Sequence, residues 1–135
     1  MSGFTDNGDG TVTDNLTRLM WTKNANLAGQ LPWGRPKDYL ASMNTGLGTY
    51  GHNDWRLPNR KELRSQLNYW KSRSSLPETY PYSNVQSDWY WSSTFHSFLS
   101  SLIWVFGPLG AVVNLAIGVF YGLKGGYVWP VRSGP

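Results

Sequence analysis

From Trp89 to Leu123 the chain runs 35 residues without a Lys, Arg, Asp or Glu. At average composition about nine charges would fall in a stretch of that length. All eight acidic residues lie between Asp6 and Asp88, and the basic ones concentrate at Arg56, Arg60, Lys61, Arg64, Lys71 and Arg73. A charge-free run has three physical explanations: burial in a core, a membrane span, or exposure as an apolar binding face. The chain's 135 residues give one domain with room for a single packed core.

The membrane reading centres on Leu102–Leu123, LIWVFGPLGAVVNLAIGVFYGL, whose 22 residues are nearly all apolar. About 20 such residues cross a bilayer as a helix. Against this stand Pro108 and the glycines at 107, 110, 118 and 122, which punctuate the run as turns do. The pieces between them, Leu102–Phe106, Ala111–Leu115 and Val119–Tyr121, have the lengths and β-rich content of short strands. Asn114 would also sit at mid-membrane. No membrane span is favoured.

Composition closes other routes. Eight Trp, eight Tyr and five Phe exclude a disordered tail. The absence of cysteine excludes a disulfide scaffold, a thiolate metal site and a cysteine nucleophile. The N-terminus MSGFTDNGDG has no basic segment followed by an apolar one, so no Sec-type signal is expected in it.

Along the chain, residues 4–22 read as a hairpin. Asp6 to Gly10 form its turn, Thr11-Val12-Thr13 has strand character, and Leu16–Trp21 is a second apolar piece. Pro36, Tyr39, Leu40 and Met43 recur at helical spacing and predict a helix over 35–44. Asn59 is placed to cap a second helix through Tyr69, with Leu63, Leu67 and Trp70 on one face and basic residues on the other. From Trp89 to Val131 the pattern is strands and tight turns. Tyr90-Trp91 and Val128-Trp129 alternate like paired strands with one buried face. The segment around Asp54-Trp55-Arg56-Leu57-Pro58 is extended before the helix cap. Trp55 and Leu57 are expected inside, with Arg56 holding loop carbonyls. Ser92, Ser93 and Thr94 are expected to satisfy backbone groups in a bend.

Four segments together carry a resemblance. They are Phe4–Thr17 (FTDNGDGTVTDNLT) running on into Leu19-Met20-Trp21, Asp54–Leu63 (DWRLPNRKEL), Tyr90–Thr94 (YWSST), and Tyr127–Arg132 (YVWPVR). In this order and combination they resemble the Lcl C-terminal domain family. The resemblance implies an α+β, C-type-lectin-like fold: an N-terminal hairpin, two helices, then a run of antiparallel strands. It covers nearly the whole chain. Trp129 departs from the family's pattern, which often has Arg there. Function on such a fold is set by grafted sites.

C-type-lectin-like domains of this type are among the targets of diversity-generating retroelements, which mutagenise adenines in the 3′ end of a gene. Their variable codons do not yield Glu, Lys, Gln, Met or Trp. Phe95–Leu123 contains none of the first four and a single Trp, Trp104. The resemblance therefore implies one domain over 1–135: a scaffold at 1–94, a variable binding region at 95–123 and a closing strand at 124–135. Candidate ligand-binding residues are Phe95, His96, Phe98, Leu99, Leu109, Ala111, Val113, Leu115, Ala116, Ile117, Val119, Phe120 and Tyr121. Strand alternation would turn about half of them outward. An apolar patch with aromatic anchors suits a protein ligand or surface receptor on a virion or cell. A fixed-specificity adhesin or carbohydrate-binding lectin-like domain is the alternative, and burial in the core is the competing structural role.

Signals for chemistry are few. Asp6, Gly8, Asp9, Gly10 and Asp14 suggest a calcium loop, but the EF-hand spacing and terminal Glu are missing, and a β-turn explains the same residues. His52 and His96 are the only imidazoles and lie far apart in sequence. The Arg-Leu-Pro segment also resembles the formylglycine-generating branch of the fold, whose chemistry requires cysteines. No enzyme activity, cofactor or metal is expected. The basic stretch with Tyr69 and Trp70 suggests nucleic acid. Basic residues on a helix and loop are usually a solvated face, and a net charge of +4 is modest, so no nucleic-acid partner is expected.

Overall fold

The computed structural model describes residues 3–31, 35–76, 79–86, 90–95, 102–106, 112–116 and 126–134. In chain order these form β1 (Phe4–Asp6), β2 (Thr11–Asp14), β3 (Leu19–Thr22), α1 (Arg35–Met43), α2 (Arg60–Lys71), a 3-10 turn (Arg73–Ser75), β4 (Tyr90–Phe95), β5 (Leu102–Phe106), β6 (Val112–Ala116) and β7 (Val131–Ser133). The chain is α+β with two antiparallel sheets, β1-β2-β3-β7 and β4-β5-β6.

The N-terminal hairpin is wider than its sequence suggests. Three strands, not two, form a meander, and β7 adds to β3 with Trp21 opposite Val131. The extra turn forms because the Asp14 carboxylate accepts the Leu16 N–H at 3.0 Å and the Asp14 carbonyl accepts the Arg18 N–H at 2.7 Å. Arg18 then adopts φ 63°. The first turn is closed by Asp6 and Asp9, whose carboxylates accept the N–H groups of Gly8 and Thr11. Gly10 is required there. Its φ is +96°, and a Cβ would overlap the Tyr50 ring.

Both helices form where the periodicity places them. Pro36, Leu40 and Met43 are buried on one face of α1, with Tyr39 half-buried. Asn59 caps α2 through a full capping box: its side chain accepts the Glu62 N–H at 2.8 Å, and Glu62 accepts the Asn59 N–H at 2.9 Å. The helix runs two residues beyond Tyr69. Leu63 and Leu67 are buried, while Trp70 is only half-buried, with the Arg73 guanidinium 4.5 Å above its ring.

Among the described residues, the buried hydrophobic side chains form two clusters. One gathers Phe4, Val12, Trp21, Leu63, Leu67, Tyr82, Tyr90, Trp129 and Val131, and the other Met20, Leu40, Met43, Trp55, Trp91 and Val128. Trp129 holds the first together, with Trp21, Tyr82 and Tyr90 rings all within 6 Å of its centroid. Trp55 is buried as expected, but Leu57 is only half-buried at the edge of the second cluster.

The charge-free run contains strands where a spanning helix was weighed. β5 coincides with the expected Leu102–Phe106, and β6 lies one residue later than Ala111–Leu115. Val119–Tyr121 lies outside the described residues. Among the described residues no helix is long and apolar enough to cross a membrane.

Candidate binding face on the second sheet

β4 opens the charge-free run and leads from the scaffold into residues 95–123, and its first residues are fixed from both sides. Tyr90 enters one hydrophobic cluster and Trp91 the other, at 0% and 1% exposure. This corrects the expectation of a single buried face: alternation sends successive rings to opposite sides, and here both sides are filled. Val128 and Trp129 divide between the two clusters in the same way.

Polar contacts complete the attachment. The Tyr90 hydroxyl donates to the Ala25 carbonyl at 2.9 Å and accepts the Gln86 N–H at 2.9 Å. The Trp91 indole donates to the Leu31 carbonyl at 3.0 Å, and its backbone N–H to Tyr127 at 3.0 Å. Ser93 donates from its backbone and its hydroxyl to the Pro58 carbonyl, at 2.8 and 3.3 Å. Trp129 donates to the Thr22 carbonyl at 2.9 Å. The Tyr90–Thr94 and Tyr127–Arg132 segments thus both reach backbone carbonyls in other parts of the chain. Those carbonyls leave no trace in residue type, so the sequence could name the donors but not their acceptors.

Beyond Trp91 the strand changes register. Trp91 pairs with Val105 and Phe95 with Ile103, so three β4 residues span the space of one on β5. Ser92, Ser93 and Thr94 occupy this bulge, the bend expected of them. β5 and β6 then pair without interruption, from Leu102 opposite Ala116 to Phe106 opposite Val112.

The candidate ligand-binding residues map onto this sheet in part. Phe95 ends β4. Val113 and Leu115 share a row of β6 with Val105 and Ile103 as cross-strand partners, and Ala116 falls in the other row beside Leu102. His96, Phe98, Leu99, Leu109, Ala111, Ile117, Val119, Phe120 and Tyr121 lie outside the described residues.

Several acidic and basic groups elsewhere are committed to the scaffold. Asp6 pairs with Lys23 at 2.7 Å, and the Lys23 bond with the Gly8 N–H keeps its pKa low despite the opposing desolvation. Asp9 is held low chiefly by the Thr11 hydroxyl at 2.6 Å. The turn carboxylates therefore cap backbone groups, and among the described residues no three His, Asp or Glu side chains converge as metal ligands. Arg56 grips Glu62 with two bonds of 2.8 and 2.9 Å, a partner the sequence reading missed, and also donates to the Leu57 carbonyl as expected. Desolvation pushes the Glu62 pKa up, but the Arg56 bonds, the Asn59 N–H and the Arg56 charge outweigh it and hold the pKa down. Arg132 clamps Asp54 at 2.6 and 3.2 Å, joining the closing strand to the central motif. His52 stands edge-on to Trp55, 6.1 Å between centroids.

Two depressions flank α2. A cleft of about 160 Å³ lies between the β2–β3 turn and the helix, bordered by Asp14, Trp21, Lys61 and Gln66. A shallower groove of about 400 Å³ follows Lys61, Arg64, Asn68 and Ser72.

A small α+β domain thus holds a strand-borne apolar segment on a locked aromatic scaffold. Residues 10–132 match the Lcl C-terminal domain, and the chain belongs to that family. No curated protein matches it in sequence.

Proposed function

We propose that this chain is a non-enzymatic ligand-binding domain of C-type-lectin-like architecture. Residues 1–94 and 124–135 form the scaffold, and 95–123 carry a binding face for a protein ligand or surface receptor on a virion or cell. The observation that carries this reading is the attachment of β4: Tyr90 and Trp91, at the start of the charge-free run, are locked one into each hydrophobic cluster shortly before residues 95–123 begin. Substitutions downstream of such a root need not disturb it. An apolar, uncharged face would bind with little dependence on salt, unlike a phosphate-binding surface.

In its full form the proposal makes 95–123 hypervariable, diversified by a retroelement. Deep sequencing of this gene across a population of its source tests that. Substitutions concentrated in codons 95–123, with 1–94 constant, are the expected result. Equal constancy throughout would refute diversification and leave a domain of fixed specificity, such as an adhesin.

A further inference from the structure

We propose that Asn7 is a site of spontaneous deamidation that the folded N-terminal hairpin holds in check. Asn7-Gly8 is the single Asn-Gly pair in the chain, and both residues are exposed. Glycine has no side chain to shield its backbone nitrogen, so that nitrogen can attack the preceding carboxamide. The Gly8 nitrogen bonds to the Asn7 Cγ, the Cγ–Nδ2 bond breaks, and ammonia leaves with the Gly8 proton. Water then opens the resulting five-membered imide at either carbonyl, giving Asp or isoAsp at position 7. No oxidant or reductant takes part.

The hairpin opposes the first step. Asn7 Nδ2 donates across the turn to the hydroxyls of Thr11 and Thr13, at 2.9 and 3.1 Å. The carboxamide is therefore drawn toward β2 and away from Gly8. The Asn7 backbone N–H is fixed to the Thr11 carbonyl at 3.0 Å, and the Gly8 N–H donates to the Asp6 carboxylate at 3.0 Å. Attack requires the carboxamide to leave Thr11 and Thr13 and swing toward Gly8, so the reaction rate follows the opening of those bonds.

The product would loosen what it leaves behind. A carboxylate at position 7 has no N–H to donate, and it joins Asp6 and Asp9 in one turn. IsoAsp adds a backbone atom next to the Asp6–Val12 pair, where β1 meets β2. Conversion therefore marks molecules by age and weakens the strand on which Phe4 is carried.

The test is peptide mapping that separates Asn, Asp and isoAsp at position 7 during incubation at neutral pH. The folded chain should convert roughly tenfold more slowly than the chain unfolded in urea, the factor supplied by one to two net hydrogen bonds. Thr13→Val should speed conversion in the folded chain. Thr5→Val, which removes the Thr5–Asn15 contact of the same hairpin, should not. Equal rates in folded and unfolded chains would overturn the proposal, as would equal acceleration by the two valine variants. Should Thr13→Val fail to fold, the comparison of folded and unfolded wild type still decides.

Discussion

Single side chains show how the scaffold fixes the start of β4. The Tyr90 hydroxyl is buried and uses both its donor and its acceptor capacity. Tyr90→Phe should therefore destabilise the fold by about 1–3 kcal/mol, because the Ala25 carbonyl and Gln86 N–H lose a partner. The measurement is the urea midpoint. Gln66 gives the opposite case. It is 1% exposed, and neither its amide nitrogen nor its oxygen has a partner at full hydrogen-bond geometry, although the Tyr82 hydroxyl beside it feels the amide. Gln66→Leu should be neutral or stabilising by about 1 kcal/mol, since it removes a desolvation penalty without breaking a well-formed hydrogen bond. A midpoint below wild type would show that the amide is paired in solution.

At the scale of elements, α2 is held by its N-terminal cap and by Arg56. Asn59→Ala should cost about 1 kcal/mol. The cap also predicts a pH response. Glu62 has a folded pKa below its unfolded value, so near pH 4 the unfolded chain binds more protons. Asp54, held low chiefly by its Arg132 hydrogen bond, acts in the same sense. Both contributions are complete above the unfolded carboxylate range and disappear as pH falls through the folded pKa values. Stability should therefore drop from about pH 5 downward, and Glu62→Gln should flatten part of that drop. Urea titrations at pH 7 and pH 3 measure it.

These elements were the legible part of the sequence. Apolar spacing located α1, and Asn59 located the start of α2, because both signals are local. The β2–β3 turn was missed because it depends on Asp14 capping and a positive φ at Arg18, neither of which residue type announces between two apolar pieces. The two-sided burial of β4 was missed for a different reason. Alternation reports that Tyr90 and Trp91 point apart, and only the fold supplies a second cluster for the second ring. Of the candidate binding residues, Phe95, Val113, Leu115 and Ala116 have defined strand positions, and their segment is singled out by the family resemblance together with its composition.

For the molecule as a whole, the central claim is that 95–123 serves binding rather than core packing. A library decides between them: random substitutions at 95–99 and 116–121, compared with substitutions at Tyr90, Trp91 and Trp129, each scored for folding by protease resistance. Most variants in 95–99 and 116–121 should stay folded. Truncating Tyr90, Trp91 or Trp129 to Ala should cost about 3–5 kcal/mol and leave a protease-sensitive chain. If variants in 95–99 and 116–121 unfold as often as those three, the charge-free run is core, and the binding-face account is wrong.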